Sequence, residues 1–206
     1  MKYFFVTTCL YLFPDYDIRK SQYTDGITRL INYTKNIENS KIIIIENNGK
    51  RNTFLDDFGV DVFYTENNNM NTLNKGLKEI KDILECIHHY QISDTDFIVK
   101  MTGRYLIEEN NIFINIIKNI DINKIHCVIK YGCYKSPVDY KCDNCITGLI
   151  GMLVKYIKLI KIPGEKECVE WCWAKNANLI NSDNIILIQG KIGIQICPAS
   201  NSYFLV

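Results

Sequence analysis

An excess of charge of one sign is missing from this chain: 24 Lys and Arg stand against 23 Asp and Glu over 206 residues, a formal net charge of +1. No global field gathers nucleic acid or an anionic membrane, so an anionic ligand has to be met by a local group of cations. Long apolar runs are missing too. A spanning helix needs roughly 18 to 20 uninterrupted apolar residues, and even the segment 146–162 carries Lys155, Lys158 and Lys161. The stretch 2–13 looks at first like a secretion signal, but it holds Thr7 and Thr8 in its middle and no small-residue cleavage site before Pro14, and it reads as a buried first strand. There is no internal repeat, Gly/Ser linker or low-complexity tail to mark a boundary. The expectation is one cytoplasmic domain over residues 1–206, with no integral membrane segment and no nucleic-acid partner.

What is present is apolar surface: 47% hydrophobic and 12% aromatic residues, enough to offset the entropy of ordering the chain. The nine cysteines are spread from Cys9 to Cys197, too dispersed for a disulfide scaffold at this length. Residues 2–8 are β-branched and aromatic, and 18–37 place Ile27, Leu30, Ile31 and Thr34 at helical spacing. Four consecutive Ile in 41–45 read as a strand buried on both faces, which implies a parallel sheet. A third strand over 60–64, a helix over 73–90 with an apolar stripe from Leu77 to Ile87, a strand over 96–101, a helix over 111–120 and a strand over 125–131 continue the alternation. Beyond an irregular, Cys-rich 132–145 come an apolar 146–160, a helix over 167–179 and two short strands in 185–196. The fold class is α/β, with a mainly parallel central sheet and a more antiparallel C-terminal part.

In an open α/β sheet ligands sit outside the carboxyl ends of the strands, which singles out Thr8, Glu46, Asn47 and the segment 100–105. Lys100, Thr102, Gly103, Arg104 and Tyr105 set two cations and a hydroxyl at that rim, where a diphosphate would lie. This Lys-x-Thr-Gly-Arg-Tyr run resembles a motif of GT-A-fold, nucleotide-sugar-dependent glycosyltransferases that build surface polysaccharides. Asn74, Lys75 and Gly76 resemble the Asn-x-Gly segment such enzymes place beside the nucleotide-sugar, and a helix start with a Lys favours phosphate. Glu167 and Glu170, ahead of Trp171 and Trp173, resemble the acidic helix start that carries the base of inverting members, without the usual adjacent Glu-Asp pair.

The resemblance implies a single GT-A-like (Rossmann-like) domain with a nucleotide-sugar half over 1–131 and an acceptor half over 132–206. It implies transfer of a hexosyl or deoxyhexosyl group to a saccharide or glycan acceptor with inversion. Glu170 is then the preferred base, ahead of Glu167, with Asp139 and Asp143 next in line, and Thr8, Glu46, Asn74, Lys75, Lys100, Thr102, Arg104 and Tyr105 bind the donor. The family's Asp-x-Asp, which holds a divalent metal on the diphosphate, has no counterpart after the fourth strand. Asp94-Thr95-Asp96 precedes that strand and lies roughly 16 Å from the rim, so no metal ligand is assigned and metal dependence stays open, with a divalent ion or Lys100 with Arg104 as the alternatives that neutralise the leaving diphosphate.

Two other classes compete. Cys133, Cys142 and Cys145, with Cys168 or Cys172 as a fourth, form half of a structural zinc pattern and suggest a non-catalytic zinc-stabilised α/β interaction module. A different nucleotide-binding transferase would use the same rim. Of Trp171 and Trp173 at most one faces a sugar, since alternate helix positions point to different sides. His88 and His89 near a helix end and His126 at a strand start carry no chemistry of their own.

Overall fold

A computed structural model describes residues 1–10, 16–197 and 203–206, so the end of the apolar stretch 2–13 lies outside the described residues. Strand β1 (Lys2–Thr8) is buried on both faces: Phe4 and Val6 enter one hydrophobic cluster and Phe5 the other. Alternation of side chains across the pleat sends successive residues to opposite sides. The same division holds in β2 (Ser40–Glu46), where Ile44 joins the first cluster and Ile43 and Ile45 the second. Helix α1 (Tyr16–Thr34) covers the first face with Tyr23, Ile27 and Leu30, while α2 (Lys75–His89) covers the second with Ile80, Ile83 and Ile87. Two covered faces are what a run of four isoleucines requires.

The remaining elements are β3 (Asp61–Tyr64), β4 (Phe97–Thr102), β5 (Leu106–Ile107), α3 (Ile112–Asn119), β6 (Cys127–Ile129), β7 (Tyr131–Cys133), β8 (Ser136–Val138), β9 (Leu149–Leu153), α4 (Val154–Ile157), α5 (Val169–Ala177), β10 (Ile185–Leu187), β11 (Ile194–Ile196) and β12 (Phe204–Leu205). Seven strands form the central sheet in the order β10-β6-β9-β4-β1-β2-β3. All are parallel but β9, which runs against both β4 and β6. Small antiparallel pairings, β12-β11-β5 and β7-β8, make the later part less parallel, as expected. No described helix is long and apolar enough to cross a membrane.

The differences from the expected elements have local causes. The strand expected over 125–131 breaks at Lys130, whose buried ammonium is paired with Asp139 and donates to the Ile188 carbonyl at 3.2 Å. An ammonium buried without partners would cost several kcal/mol, so the strand breaks at the residue that has to reach them. The helix expected over 73–90 starts at Lys75 because Asn74 caps it, accepting from the Gly76 and Leu77 amides at 3.0 and 3.2 Å. The helix expected over 167–179 starts at Val169 with Cys168 as N-cap. Glu167 therefore lies outside it, its carboxylate accepting from the Gly164 amide at 2.7 Å. The apolar 146–160 divides into β9 and α4.

Candidate functional site

From β1 the chain builds outward through β2 to β3 and then returns to add β4 on the other side of β1. That reversal opens a crevice at the carboxyl ends of β1 and β4, the place where open α/β sheets bind ligands. A cleft of about 810 Å³ opens here. Its walls carry Thr8, Asn74, Lys75, Lys100, Thr102, Arg104, Tyr105, Glu167 and Glu170, so all the site residues read from the sequence but Glu46 meet in one place. Six cations line it against four carboxylates, a local positive excess in a chain whose charges otherwise nearly cancel.

The motif at the end of β4 divides its labour. Lys100 is 1% exposed and is not a free cation: its ammonium pairs with Glu79 at 2.8 Å and donates to the Thr147 carbonyl at 2.8 Å and to Thr102 Oγ1 at 3.2 Å. Gly103 is steric, since a Cβ there would stand 2.9 Å from Val6 Cγ1. Tyr105 is buried against Gly148, edge-on to Tyr134, and burial raises both phenols above their ordinary range, which keeps them protonated. Arg104 is the exception. One Nη donates to the Cys197 carbonyl at 2.5 Å, and its other N–H groups have no acceptor among the described residues.

Asn74 and Gly76 are likewise explained by structure. Asn74 caps α2 and also donates to the Gly164 and Glu167 carbonyls at 2.6 and 3.0 Å, stitching the start of α2 to the segment before α5. A Cβ on Gly76 would meet Val169 at 2.4 Å. Lys75, between them, and Lys166 are exposed and Arg19 is half-buried, and none of the three has a hydrogen bond or ion pair among the described residues. Thr8 turns its hydroxyl to Glu46 at 2.7 Å.

Glu46 corrects the expectation. It is fully buried and does not line the cleft, because Thr8, the Leu10 amide, Asn48 and Arg51 take its carboxylate. It fastens the end of β1 to the loop after β2. Glu170, in the first turn of α5, faces the cleft and accepts from the Cys168 thiol at 2.6 Å. Glu167 is held below the ordinary carboxylate range by the Gly164 amide and then by Lys161. Asp139 and Asp143 do not line the cleft. Trp173 is wholly buried, and Trp171 is exposed but outside the cleft, so neither forms a wall of it.

Glu79 went unread in the sequence. Its only signal was position: it follows Lys75 by one turn, and i, i+4 residues share a helix face.

Asp94 and Asp96 lie at the amino end of β4. Asp96 pairs with the Met1 ammonium at 2.7 Å and Asp94 with Lys158 at 2.6 Å. Among the described residues no three His, Cys, Asp or Glu side chains are grouped to hold a metal, and Cys133, Cys142, Cys145, Cys168 and Cys172 do not gather into a zinc site. At the end of β4 a buried ammonium stands where a dication would need carboxylates, so the residues present do not fit a divalent ion.

The strand order, the single antiparallel β9 and the rim cleft define a GT-A-like, Rossmann-like α/β fold. Solved structures support that class. A mannosyltransferase from Pyrobaculum calidifontis, in complex with GDP-Man and Mn2+, superposes with a TM-score of 0.56 at 8% identity, over 91% of this chain and 56% of its own length. This chain thus spans just over half of that enzyme. A putative glucose-1-phosphate thymidylyltransferase from Bacillus anthracis, in complex with a sucrose, superposes with a TM-score of 0.55 at 12% identity, over 92% of this chain and 87% of its own. No family model matches the sequence, and neither does any curated protein.

Proposed function

We propose that the protein is a glycosyltransferase that moves a sugar from a nucleotide-sugar to a saccharide acceptor with inversion. The observation that carries this reading is the meeting, in one rim cleft, of cations with open donors, Arg104 after β4 and Lys75 at the start of α2, with the carboxylate of Glu170 at the start of α5. Residues 1–131 then supply the donor side and 132–206 the acceptor side.

Arg104 and Lys75 hold the diphosphate, Arg104 by the fork of donors that suits phosphate oxygens. The acceptor hydroxyl attacks the anomeric carbon, the anomeric C–O bond to phosphate breaks with its electron pair leaving on the diphosphate, and Glu170 takes the hydroxyl proton. Fixed cations aimed at the growing negative charge are the main source of acceleration. Lys100, neutralised by Glu79, shapes the floor and adds no net charge. No step runs through a metal.

The test is a titration panel of UDP-, GDP-, CDP- and dTDP-sugars with their nucleoside diphosphates, followed by product analysis. Saturating binding stabilises a fold by about 2.7 kcal/mol at one hundred times Kd. If no nucleotide shifts the melting temperature at millimolar concentration, the reading fails. Pyrophosphate released from a nucleoside triphosphate and a sugar phosphate would instead mark a nucleotidyltransferase.

A further inference from the structure

Lys100 and Glu79 cancel each other at the cleft floor, and that cancellation divides the cleft into two chemically different parts. The rim holds Arg104, Lys75, Arg19 and Lys166, charged and short of acceptors. The floor holds an ion pair with Thr7, Thr102 and Thr147 around it, rich in hydrogen-bonding groups and without net charge. Glu79 is the acceptor of that floor. Its Oε1 takes Lys100 and the Thr7 hydroxyl, both at 2.8 Å, while Oε2 takes no hydrogen bond among the described residues. The side chain is 21% exposed, on the cleft side. A phosphate gains nothing from a neutral floor whose free oxygen is a carboxylate's. A polyol, whose O–H groups need acceptors, gains a charge-assisted hydrogen bond.

We infer that Glu79 Oε2 accepts hydrogen bonds from hydroxyls of the donor's sugar, and that the floor it belongs to is a subsite for a neutral, hydroxyl-rich glycosyl group. The inference rests on the nucleotide-sugar reading and adds what that reading leaves open, namely which part of the donor the floor recognises. A uronate or other acidic sugar would bring its own carboxylate against Oε2 and is selected against. A site built to bond a hydroxyl discriminates strongly against a ligand that lacks it, because its acceptor is then left unpaired.

The experiment measures Kd for each nucleoside diphosphate and for its neutral sugar conjugates, on the wild type and on Glu79→Gln. The wild type is expected to bind one neutral nucleotide-sugar about tenfold or more tighter than the bare diphosphate, and Glu79→Gln to lose that advantage while its diphosphate Kd stays within about threefold. Because Glu79→Gln leaves the Lys100 ammonium without its carboxylate, the double variant Glu79→Gln/Lys100→Met, which removes both charges, gives the same readout if the single variant melts early. Retention of the sugar advantage in the folded variant overturns the inference, as does a wild type that binds diphosphate and nucleotide-sugar equally. Either result leaves the glycosyltransferase reading standing. A wild type that binds no nucleotide at all removes that reading and this inference together.

Discussion

At the amino end of β4, Asp96 is closed by the Met1 ammonium and Asp94 by Lys158, and Lys2, beside them on β1, donates to the Ile117 carbonyl at 2.7 Å. At the carboxyl end, Arg104 keeps open donors and Lys75, Arg19 and Lys166 have no partner among the described residues. The two charged groups thus differ in satisfaction. Charges that find partners within the fold report on folding, and those left without one in a concave wall are the ones the proposed donor would meet. The Asp-x-Asp of this chain belongs to the first kind, whatever its spelling suggests.

The sharpest way to break the comparison is at Glu170. Glu170→Gln keeps the shape and removes the base, and turnover with a verified donor and acceptor is expected to fall about a hundredfold to ten-thousandfold, with diphosphate affinity within a few fold. Full turnover in that variant would place the base elsewhere. Next comes Arg104→Ala, which removes the open fork. Losing charge-assisted bonds worth about 1.5 to 3 kcal/mol should weaken diphosphate binding by roughly ten- to a hundredfold in calorimetry.

The wall beneath the cleft is tested by Gly26→Ala. A Cβ there would stand 2.2 Å from the Gly103 carbonyl oxygen, forcing α1 off the motif loop. Overpacking of this kind costs about 1 to 3 kcal/mol, read as a lower melting temperature. A smaller effect comes from pH. Burial raises Asp82 to about 6, against the hydrogen bonds of Thr65, Asn67 and Asn47. Its folded value lies above its unfolded one, so between about pH 4 and 6 the native state binds the extra proton and stability falls as pH rises through that window. Denaturant midpoints should show this slope in the wild type and lose it in Asp82→Asn. The smallest effect on binding is expected at the amino end: Asp94→Asn with Asp96→Asn breaks the exposed Asp94 pair, at about 1 kcal/mol or less, and the half-buried Asp96 pair, and leaves nucleotide binding unchanged. A loss of binding there would undo the distinction between the two ends.

Much of the fold was legible because hydrophobic pattern is a local property. The Ile run in β2 announced burial on both faces, and the alternation of strands and helices announced a parallel sheet with a rim at its carboxyl ends. Strand direction alone then put Asp94 and Asp96 away from that rim. The roles of individual rim residues were less legible. Lys100 and Arg104 look alike in the sequence, as two cations flanking a Thr-Gly turn, yet one is consumed and the other is open. Asn74 and Gly76 look like ligand contacts and serve as a cap and a close approach. Glu46 stands at the right strand end but turns inward to Thr8 and the Leu10 amide at the end of β1 and to Asn48 and Arg51 in the loop after β2, partners that its spacing does not reveal.

The sequence by itself determined the layers, the sheet rim and the short list of groups around it, since periodicity and strand order depend on near neighbours and on which faces have to be covered. Only the tertiary structure decided which of those groups are spent on one another. Lys100 meets Glu79 across 21 residues and Asn74 meets Glu167 across 93. Partnership at that range is set by how α2, β4 and the start of α5 pack, and packing also decides which charges remain for a ligand.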